Sequence, residues 1–330
     1  MALSLFSRKN RIINLIINDY SIRFVELKQT NPLSIQRWGE RFIPFGIVRD
    51  GKIIDHETLE MILEECITDW KIQKRAVRFI VPDSFVIIRK VNIPGDVKDD
   101  ETNGFLYLEL GTSIHLPFDE PVFDTYTVRK EKDKKEILIF AAQEENVLDY
   151  AGLFTNVKLV PEAADVSSLS LYRLYHHLGM PDQDERLLMI QFDINMVNLC
   201  IFENQLPLFM HHLVFDFEED KWEIKSGKNG SSELQYYGDP EALLFQLEDI
   251  YKEISKFMDF YRYSINQGKQ QVSKIFLNGD HPHLDIIKKE VENRFDLPHQ
   301  TINSNSIPSA TEEKLPRSHY LALGLALKEV

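Results

Sequence analysis

The sequence has few cysteines and no long apolar run. Its two cysteines, Cys66 and Cys200, lie among apolar residues without metal-ligand spacing. They exclude a disulfide framework and favour buried thiols in a reducing compartment. No stretch approaches the roughly 18–20 apolar residues that a membrane-spanning helix requires. Residues 1–10 carry their charges after a short apolar part instead of before it, which argues against a signal peptide. We therefore expect a cytoplasmic protein without a membrane span.

Positive charge is also in deficit, with 52 acidic against 38 basic residues and a formal net charge of −14. This balance repels phosphate backbones and argues against a general nucleic-acid binder. The 330 residues exceed one typical small domain and predict two lobes or several subdomains. The sequence has no glycine-rich P-loop and no catalytic Ser/His/Asp arrangement. Neighbouring histidines at 176–177 and 211–212 point apart, so we predict no metal site.

Two stretches, 12–27 and 187–203, share one layout. Each has an apolar run, a polar bend that contains Asn18 or Asn195, and a second apolar run, which is typical of a β-hairpin. Two similar hairpins half a chain apart suggest an internal duplication with two related lobes. Hairpins are common, however, and on the hairpins alone coincidence is the simpler explanation.

The rest of the chain predicts alternating strands and helices. Asp55 is a candidate N-cap, and Asp239-Pro240 combines an N-cap with proline at the first helical position. Polar and glycine-rich residues at 216–238 indicate an exposed loop. Outside the hairpins we predict strands at 33–43, 77–81, 85–93, 122–129, 137–142, 157–160, 206–213 and 274–277, and helices from about 55, at 99–112, 145–155, 162–178, 240–265, 282–295 and 317–327.

Several short motifs in one order resemble the PilM family of type IV pilus assembly proteins. The match covers nearly the whole chain, and each motif is weak by itself. The matching landmarks are Leu5-Phe6, Val25-Glu26-Leu27, Pro44-x-Gly46-Ile47-Val48-x-Asp50-Gly51, Val81-Pro82-Asp83-x-x-Val86-x-x-Arg89, Ile114-x-x-Pro117-Phe118 with Asp124, Gly279 after a strand, and Ala322-x-Gly324-Leu325-Ala326-Leu327.

The resemblance implies a mixed α/β, actin-like fold of two lobes with an inserted α+β subdomain, as in FtsA and PilM. Its segments would be 1–76 (first lobe), 77–161 (inserted subdomain), 162–186 (connecting helix of the first lobe), 187–215 (second lobe core), 216–273 (outer second lobe), 274–316 (second lobe core, continued) and 317–330 (C-terminal helix returning to the first lobe).

The resemblance also implies a partner, the cytoplasmic N-terminal peptide of a PilN-like inner-membrane protein. That partner would recruit the chain to the inner face of the cell membrane, and the pilus assembly ATPase is a second candidate partner. In the family the peptide lies in a groove between the first lobe and the inserted subdomain. The candidate groove residues here are Trp38, Phe79, Val81, Phe85, Ile87 and Arg89. For any single one of them, a core role is the simpler reading.

Actin-like ATPases hold phosphate at glycine-rich hairpin bends, because glycine leaves backbone N–H donors accessible. Here Ile16 stands where the family has its metal-organising Asp, and Asn18 stands for the bend glycine. Asp19 would place a negative charge where phosphate sits. The second bend keeps Asp193 but has Asn195 for glycine, and the glycine triplet of the third element becomes Gly279-Asp280-His281.

These departures predict a non-catalytic scaffold without a cofactor, serving a type IV pilus or related pseudopilus machine. The alternative is an actin-like ATPase that binds Mg-ATP weakly and regulates pilus assembly, with Ser21, Asp193, Asn195 and Gly279 as its remaining contacts. A third hypothesis, an FtsA-like membrane anchor, is disfavoured because no amphipathic tail follows the last helix.

Overall fold

The structure is a computed structural model, and it describes residues 12–215, 218–226, 232–308 and 314–329. The Leu5-Phe6 motif lies outside these residues. The chain forms two compact units. Unit 1 comprises Met1–Pro82, Leu148–Met180 and Asn303–Val330, and unit 2 comprises Asp83–Val147 and Pro181–Ile302.

Strands and helices alternate along the chain. The strands are β1 (Ile13–Ile17), β2 (Ser21–Gln29), β3 (Ser34–Phe42), β4 (Val48–Arg49), β5 (Lys52–Ile53), β6 (Ala76–Ile80), β7 (Val86–Pro94), β8 (Pro121–Lys130), β9 (Lys134–Gln143), β10 (Val160–Asp165), β11 (Arg186–Phe192), β12 (Met196–Glu203), β13 (Leu206–Val214), β14 (Trp222–Ser226), β15 (Ser232–Tyr236), β16 (Lys274–Gly279) and β17 (His299–Gln300). The helices are α1 (His56–Asp69), α2 (Thr102–Glu109), α3 (Glu144–Asn156), α4 (Ser167–His177), α5 (Pro240–Asp259, continued by a π-helical turn at Phe260–Ile265), α6 (Leu284–Arg294) and α7 (Tyr320–Ala326).

A five-stranded sheet with the order β10-β6-β1-β2-β3 forms the centre of unit 1. β1 and β2 form the predicted hairpin, and β1 also pairs in parallel with β6. All five side chains of β1 are buried, as expected for a strand that is covered on both faces. Helix α7 packs against α4 and β1. Gly324 permits this packing, because a Cβ at this position would lie 2.1 Å from the carbonyl oxygen of Ser170.

Unit 2 contains a second five-stranded sheet whose order, β13-β12-β11-β16-β17, repeats that of the first. In each sheet one strand pairs antiparallel with the next strand of the chain and parallel with a later one. Helices α5 and α6 pack their apolar residues against the second sheet. The two hairpins therefore belong to two sheets of one topology. The similarity therefore extends beyond the hairpins to the whole of each sheet, which supports the predicted pair of related lobes.

The segment between β6 and α3 forms a three-stranded antiparallel sheet in the order β7-β9-β8, with α2 packed on one face. A chain of polar contacts links this segment to the second sheet inside unit 2. The Nδ2 of Asn198 donates to Asp83 at 2.8 Å, and the Oδ1 of Asn198 contacts Nδ1 of His212. Asp83 is buried, so this carboxylate needs such a donor.

The predicted insert, 77–161, includes at each end a strand that the structure assigns to the first sheet. β6 belongs to the first sheet, because Leu15 pairs with Phe79. Val160 and Pro161 begin β10, which pairs with β6 in that same sheet. The compact units place only Asp83–Val147 of this segment outside unit 1. The other segment boundaries stay predictions.

Three local predictions are wrong. The strand predicted at 157–160 agrees with the structure only at Val160, where β10 begins. Val157 and Lys158 instead form a turn at the end of α3, and their N–H groups donate to the carbonyls of Leu153 and Thr155. The helix predicted at 162–178 begins only at Ser167, because residues up to Asp165 extend the sheet and the carbonyl of Asp165 accepts from Val81 N–H at 2.9 Å. The loop predicted at 216–238 contains the hairpin β14–β15, where Trp222 pairs with Tyr236 and their rings lie 5.0 Å apart. Residues 216, 217 and 227–231 of that prediction lie outside the described residues. Within the described ranges, none of the helices combines the length and the apolar character that a membrane crossing requires.

Candidate functional site

The first candidate phosphate turn, between β1 and β2, is closed by its own side chains. The Oδ1 of Asn18 accepts from the backbone N–H groups of Tyr20, at 3.2 Å, and Ser21, at 2.7 Å. The Ser21 hydroxyl donates to the same oxygen at 3.1 Å. These are the donors that a phosphate would need at such a bend. Asn18 therefore acts as the acceptor of this turn, and Ser21, a predicted contact, is fully buried beside it.

Asp19 lies in the same turn, and its carboxylate binds the neighbouring hairpin β4–β5. Its two oxygens accept from Asp50 N–H at 2.8 Å and from Gly51 N–H at 3.0 Å. Asp50 and Gly51 both have positive φ, so their N–H groups form a concave anion-binding turn. The negative charge predicted at the phosphate position, that of Asp19, thus holds the β1–β2 turn to the β4–β5 hairpin within unit 1. The Asp50-Gly51 dipeptide, which favours such a tight hairpin turn, was the signal in the sequence that could have revealed this contact.

Two further side chains fix this region of unit 1. The hydroxyl of Tyr150 donates to the carbonyl of Gly51 at 2.8 Å. Burial raises the pKa of Tyr150, and the nearby Asp19 carboxylate raises this pKa further, so the phenol stays a donor. Ile16, at the position where the family has its metal-organising Asp, is a buried residue of β1. Its side chain offers no oxygen to a metal or to water.

We expect Asn18→Ala to lower the free energy of unfolding by about 2 kcal/mol, because two backbone donors and one hydroxyl lose their acceptor. Urea denaturation measures this change. Asn103→Ala, which removes one contact with Thr125 on an exposed surface, serves as the control. We expect that control to stay within about 0.5 kcal/mol of the parent protein. Equal stability of the two variants would contradict the proposed role of Asn18.

The second candidate turn, between β11 and β12, is also braced internally. Asp193 N–H donates to the carbonyl of Met196 at 2.9 Å, and Gln191 Nε2 donates to the Asp193 carboxylate at 2.6 Å. The carbonyl of Asn195 accepts from Phe215 N–H at 3.2 Å, which joins this bend to the end of β13. Asp193 and Asn195, both predicted nucleotide contacts, therefore have structural partners in unit 2.

Gly279, the third predicted contact region, lies against the end of β11. Its φ is +137°, and a Cβ at this position would lie 1.8 Å from the carbonyl oxygen of Phe192. The same carbonyl accepts from His281 N–H at 3.2 Å. Glycine is required here by the approach of two backbones, a reason that holds with or without a nucleotide.

His281 follows this glycine and is enclosed by aromatic side chains. Burial, and next the neighbouring His283, lower the pKa of His281 to about 4, so the ring is neutral at physiological pH. Its Nδ1 accepts from His283 N–H at 3.0 Å. Trp222 meets the His281 ring edge-on at 5.9 Å, and Tyr236 meets the His283 ring at 6.1 Å. The hairpin β14–β15 thus covers this element within unit 2.

Taken unit by unit, these contacts do not fit the open, glycine-rich turns that the resemblance implies for a nucleotide. In unit 1 the N–H donors of the bend are bound by Asn18, and the Asp19 carboxylate is bound by the N–H groups of Asp50 and Gly51. In unit 2 Gly279 is pressed against Phe192, and His281 is packed under Trp222. Among the described residues, no group of three or more His, Cys, Asp or Glu side chains is arranged to hold a metal ion.

The six predicted groove residues are divided between the two units. Phe79 and Val81 are core residues of unit 1, and Phe79 contacts the rings of Tyr150 and Phe154. Trp38 is half-buried in unit 1, and its ring meets that of His319 at 4.9 Å.

In unit 2 Phe85 and Ile87 are half-buried, and Arg89 is exposed and donates to the carbonyl of His115. A peptide-binding role for the six residues stays a prediction.

Comparison with known proteins places the chain in one family. The sequence model of a family described as type IV pilus assembly protein PilM matches residues 15–330. A solved PilM–PilN type IV pilus biogenesis complex has a TM-score of 0.78 at 18% identity, over 96% of this chain and 98% of that chain. This match confirms the predicted actin-like fold. No curated protein sequence matches significantly.

Two other solved structures are less similar. A Bacteroides thetaiotaomicron protein with an actin-like ATPase fold has a TM-score of 0.47 at 10% identity, over the whole of both chains. MreB5 of Spiroplasma citri bound to ADP has a TM-score of 0.46 at 9% identity, over 96% of this chain and 95% of that chain. The family match, which covers nearly the whole sequence, identifies this chain as a member of the PilM family of type IV pilus assembly proteins.

Proposed function

We propose that this chain is a non-catalytic, cytoplasmic scaffold of a type IV pilus or related pseudopilus assembly machine. It binds the cytoplasmic N-terminal peptide of a PilN-like membrane protein, which recruits it to the inner face of the cell membrane. From there it relays contact to the assembly ATPase. The observation that carries the non-catalytic part is the closed first turn, whose backbone donors are bound by Asn18 and whose Asp19 is bound by Asp50 and Gly51.

The competing proposal is an actin-like ATPase in which Ser21, Asp193, Asn195 and Gly279 contact Mg-ATP. It requires Asn18 Oδ1 and the Asp19 carboxylate to release the backbone groups that they bind. A bound phosphate would itself accept from the N–H groups of the bend, so the cost falls on Asp50 and Gly51 if Asp19 moves away: their N–H groups lose an acceptor, at about 1–3 kcal/mol each. If Asp19 stays in place, its negative charge opposes the phosphate. Either outcome favours the scaffold.

Titration calorimetry of the purified chain distinguishes the two proposals. We expect no heat with Mg-ATP and a micromolar dissociation constant, equivalent to about −8 kcal/mol, with a synthetic N-terminal peptide of the PilN-like neighbour. A scrambled peptide of the same composition is the control. Tight Mg-ATP binding would replace the scaffold proposal with the ATPase, and absence of peptide binding would remove the proposed partner.

A substitution of one exposed residue, Arg89, tests the predicted groove in the same peptide-binding experiment. Arg89→Ala should weaken peptide binding about tenfold if its guanidinium contacts the peptide, which equals about 1.4 kcal/mol. Lys90→Ala is the matched control, because Lys90 is the next residue of β7 and pairs with Glu136. Equal affinity of the two variants would exclude Arg89 from the groove.

A further inference from the structure

Three lysines of unit 1 lie in adjacent tight turns. Lys71, Lys74 and Lys158 are exposed, and each has a positive φ between 56° and 64°. The N–H of Lys74 donates to the carbonyl of Lys158 at 3.1 Å, which holds the two turns together. Lys71 closely follows the end of α1, and Lys158 closely follows the end of α3. The turns at the ends of these two helices therefore carry three exposed positive charges.

Two arginines beside these turns are already bound. Arg37 and Arg75 both donate to the buried carboxylate of Glu26, and Arg37 also donates to the carbonyl of Trp70, the residue before the first lysine. By contrast, the described residues supply no ion-pair partner for the three lysines. We call this group the basic patch, and it consists of Lys71, Lys74, Lys158, Arg37 and Arg75.

The basic patch contrasts with the rest of the chain, whose formal net charge is −14. The carboxylate inside the patch, that of Glu26, is buried and shared by the two arginines. Asp69, which lies close to the patch in the sequence, contacts Arg41 at 3.2 Å. Acidic groups farther away than about 8 Å are largely screened at 0.15 M ionic strength. The patch therefore presents an excess of positive charge to an approaching ligand.

Local stability does not explain why these turns contain lysine. Glycine is the usual residue at positive φ, because it has no Cβ to clash with the backbone. The helix dipole favours a cation after the last turn of a helix, which applies to Lys71 and Lys158 but not to Lys74. Eight non-glycine residues of the described chain have a positive φ, and the three lysines among them all lie in this patch. Residues that break a local rule without a local gain are candidates for function.

The class of ligand follows from which cations are free. Recognition of one particular phosphate or carboxylate uses the planar fork of arginine, and both arginines of the patch are bound to Glu26. The three lysines are exposed point charges without a fixed geometry, so they suit a surface that carries many phosphate groups. We propose that the basic patch contacts the anionic phospholipid headgroups of a membrane surface.

This inference rests on the proposed function, in which a membrane protein recruits the chain to a bilayer. An anionic bilayer attracts basic segments, and each lysine close to its surface strengthens the attachment about fivefold. Two weak signals together give a stable attachment where one signal alone is marginal. The partner peptide is the first signal, and the basic patch is the second.

Flotation of the full chain with lipid vesicles, in the absence of any peptide, tests the proposal. One set of vesicles contains phosphatidylcholine alone, and the other contains equal parts of phosphatidylcholine and phosphatidylglycerol. We expect the chain to float with the anionic vesicles and not with the neutral ones. Binding should disappear at about 1 M salt, where the Debye length falls to about 3 Å.

The patch variant combines Lys71→Gly, Lys74→Gly and Lys158→Gly. Glycine adopts these positive φ values freely, so the variant should keep the melting temperature of the parent chain. It should bind anionic vesicles at least about tenfold more weakly. If it fails to fold, Lys74→Gly alone repeats the test and should weaken binding about fivefold. The control has the same net charge as the patch variant and should bind like the parent chain. It replaces with glutamine three exposed helical lysines of unit 2, Lys252, Lys256 and Lys289.

Two soluble ligands separate the membrane from other sources of negative charge. Glycerol phosphate should give no heat in titration calorimetry, because no arginine fork of the patch is free to bind a single phosphate. Hexaglutamate, at an equal concentration of negative charge, should not displace the chain from the vesicles. Heat with glycerol phosphate, or displacement by hexaglutamate, would overturn the proposal in favour of a free phosphate or an acidic protein segment. Equal vesicle binding by the patch and control variants, or no binding by the parent chain, would also overturn it. Loss of the peptide partner would leave these vesicle results unchanged, so the two proposals fail separately.

Discussion

Gly279→Ala is expected to lower the free energy of unfolding by about 4 kcal/mol, or to prevent accumulation of folded protein, in the absence of any nucleotide. Two physical effects add at this position. An alanine at φ +137° is strained, at a cost of about 1–3 kcal/mol. Its Cβ would also lie 1.8 Å from the carbonyl oxygen of Phe192, so β11 and β16 would have to separate at the end of their parallel pairing.

The control for this substitution is Gly152→Ala. Gly152 lies inside helix α3, and a Cβ there would meet no atom of the described residues within 4 Å. Alanine restricts the unfolded chain and favours the helix, so we expect this variant to gain up to about 1 kcal/mol. Urea denaturation and soluble yield measure both variants. If Gly279→Ala kept the parent stability and lost only a ligand, Gly279 would be a binding residue and its structural role would be wrong.

Glu26→Gln is expected to cost about 3 kcal/mol at pH 7, because it leaves two arginines of unit 1 without their carboxylate. Glu26 is 1% exposed, and its oxygens accept from Arg37 Nε and Arg75 Nη2, each at 2.9 Å. Arg37 also donates to the carbonyl of Trp70 at 2.7 Å, so the cluster ties β2, β3 and the end of α1 together. The loss is measured by urea denaturation.

The effect of Glu26→Gln depends on pH in a defined direction. Burial alone would raise the pKa of Glu26, but hydrogen bonds from Arg75 and Arg37 and their charges together lower this pKa below 4.5. A carboxylate with a lowered pKa in the folded state stabilises the protein above its unfolded pKa, and this contribution disappears as pH falls through the folded value. The difference between parent and variant should therefore be largest at neutral pH and shrink below about pH 4.5.

An exposed ion pair of the same unit supplies the comparison. Glu65 contacts Arg41 at 3.4 Å, and both side chains are more than 40% exposed. Glu65→Gln should change the free energy of unfolding by less than about 1 kcal/mol at any pH. A loss for Glu26→Gln that stays constant from pH 7 to pH 3 would show that the carboxylate charge is not what stabilises this cluster.

The hairpins, the α5 N-cap and the apolar helices could be predicted because their signals are local. Asp239 and Pro240 stand next to each other in the sequence, and the structure begins α5 there, with the Asp239 side chain accepting from Glu241 N–H. The errors arise where distant partners decide the local structure. Residues 162–165 have helical propensity, yet they form β10 because β6 offers an unpaired edge.

The candidate site shows the same limit. The sequence indicates that Ile16, Asn18 and Asp19 depart from a phosphate-binding pattern, and these departures are local. The sequence does not indicate that Asp19 binds Asp50 and Gly51, which lie 31 and 32 positions along the chain. This contact depends on how the two hairpins pack in the folded unit. Likewise, Trp222 and Tyr236 lie in a polar stretch that resembles a loop, and their rings find His281 and His283 about fifty residues later.

The discontinuity of unit 1 has a consequence for synthesis of the chain. Its sheet comes from segments on either side of Asp83–Val147, and α7, which packs against β1 and α4, follows all of unit 2. During translation, β1 is among the first segments to be synthesised, and all of unit 2 is synthesised before α7. The apolar residues of β1 that α7 covers thus stay uncovered for most of translation, and those of α4 stay uncovered until α7 is made. Such surfaces are prone to aggregation. We expect chaperone dependence to be set by unit 1, although its strands are made first.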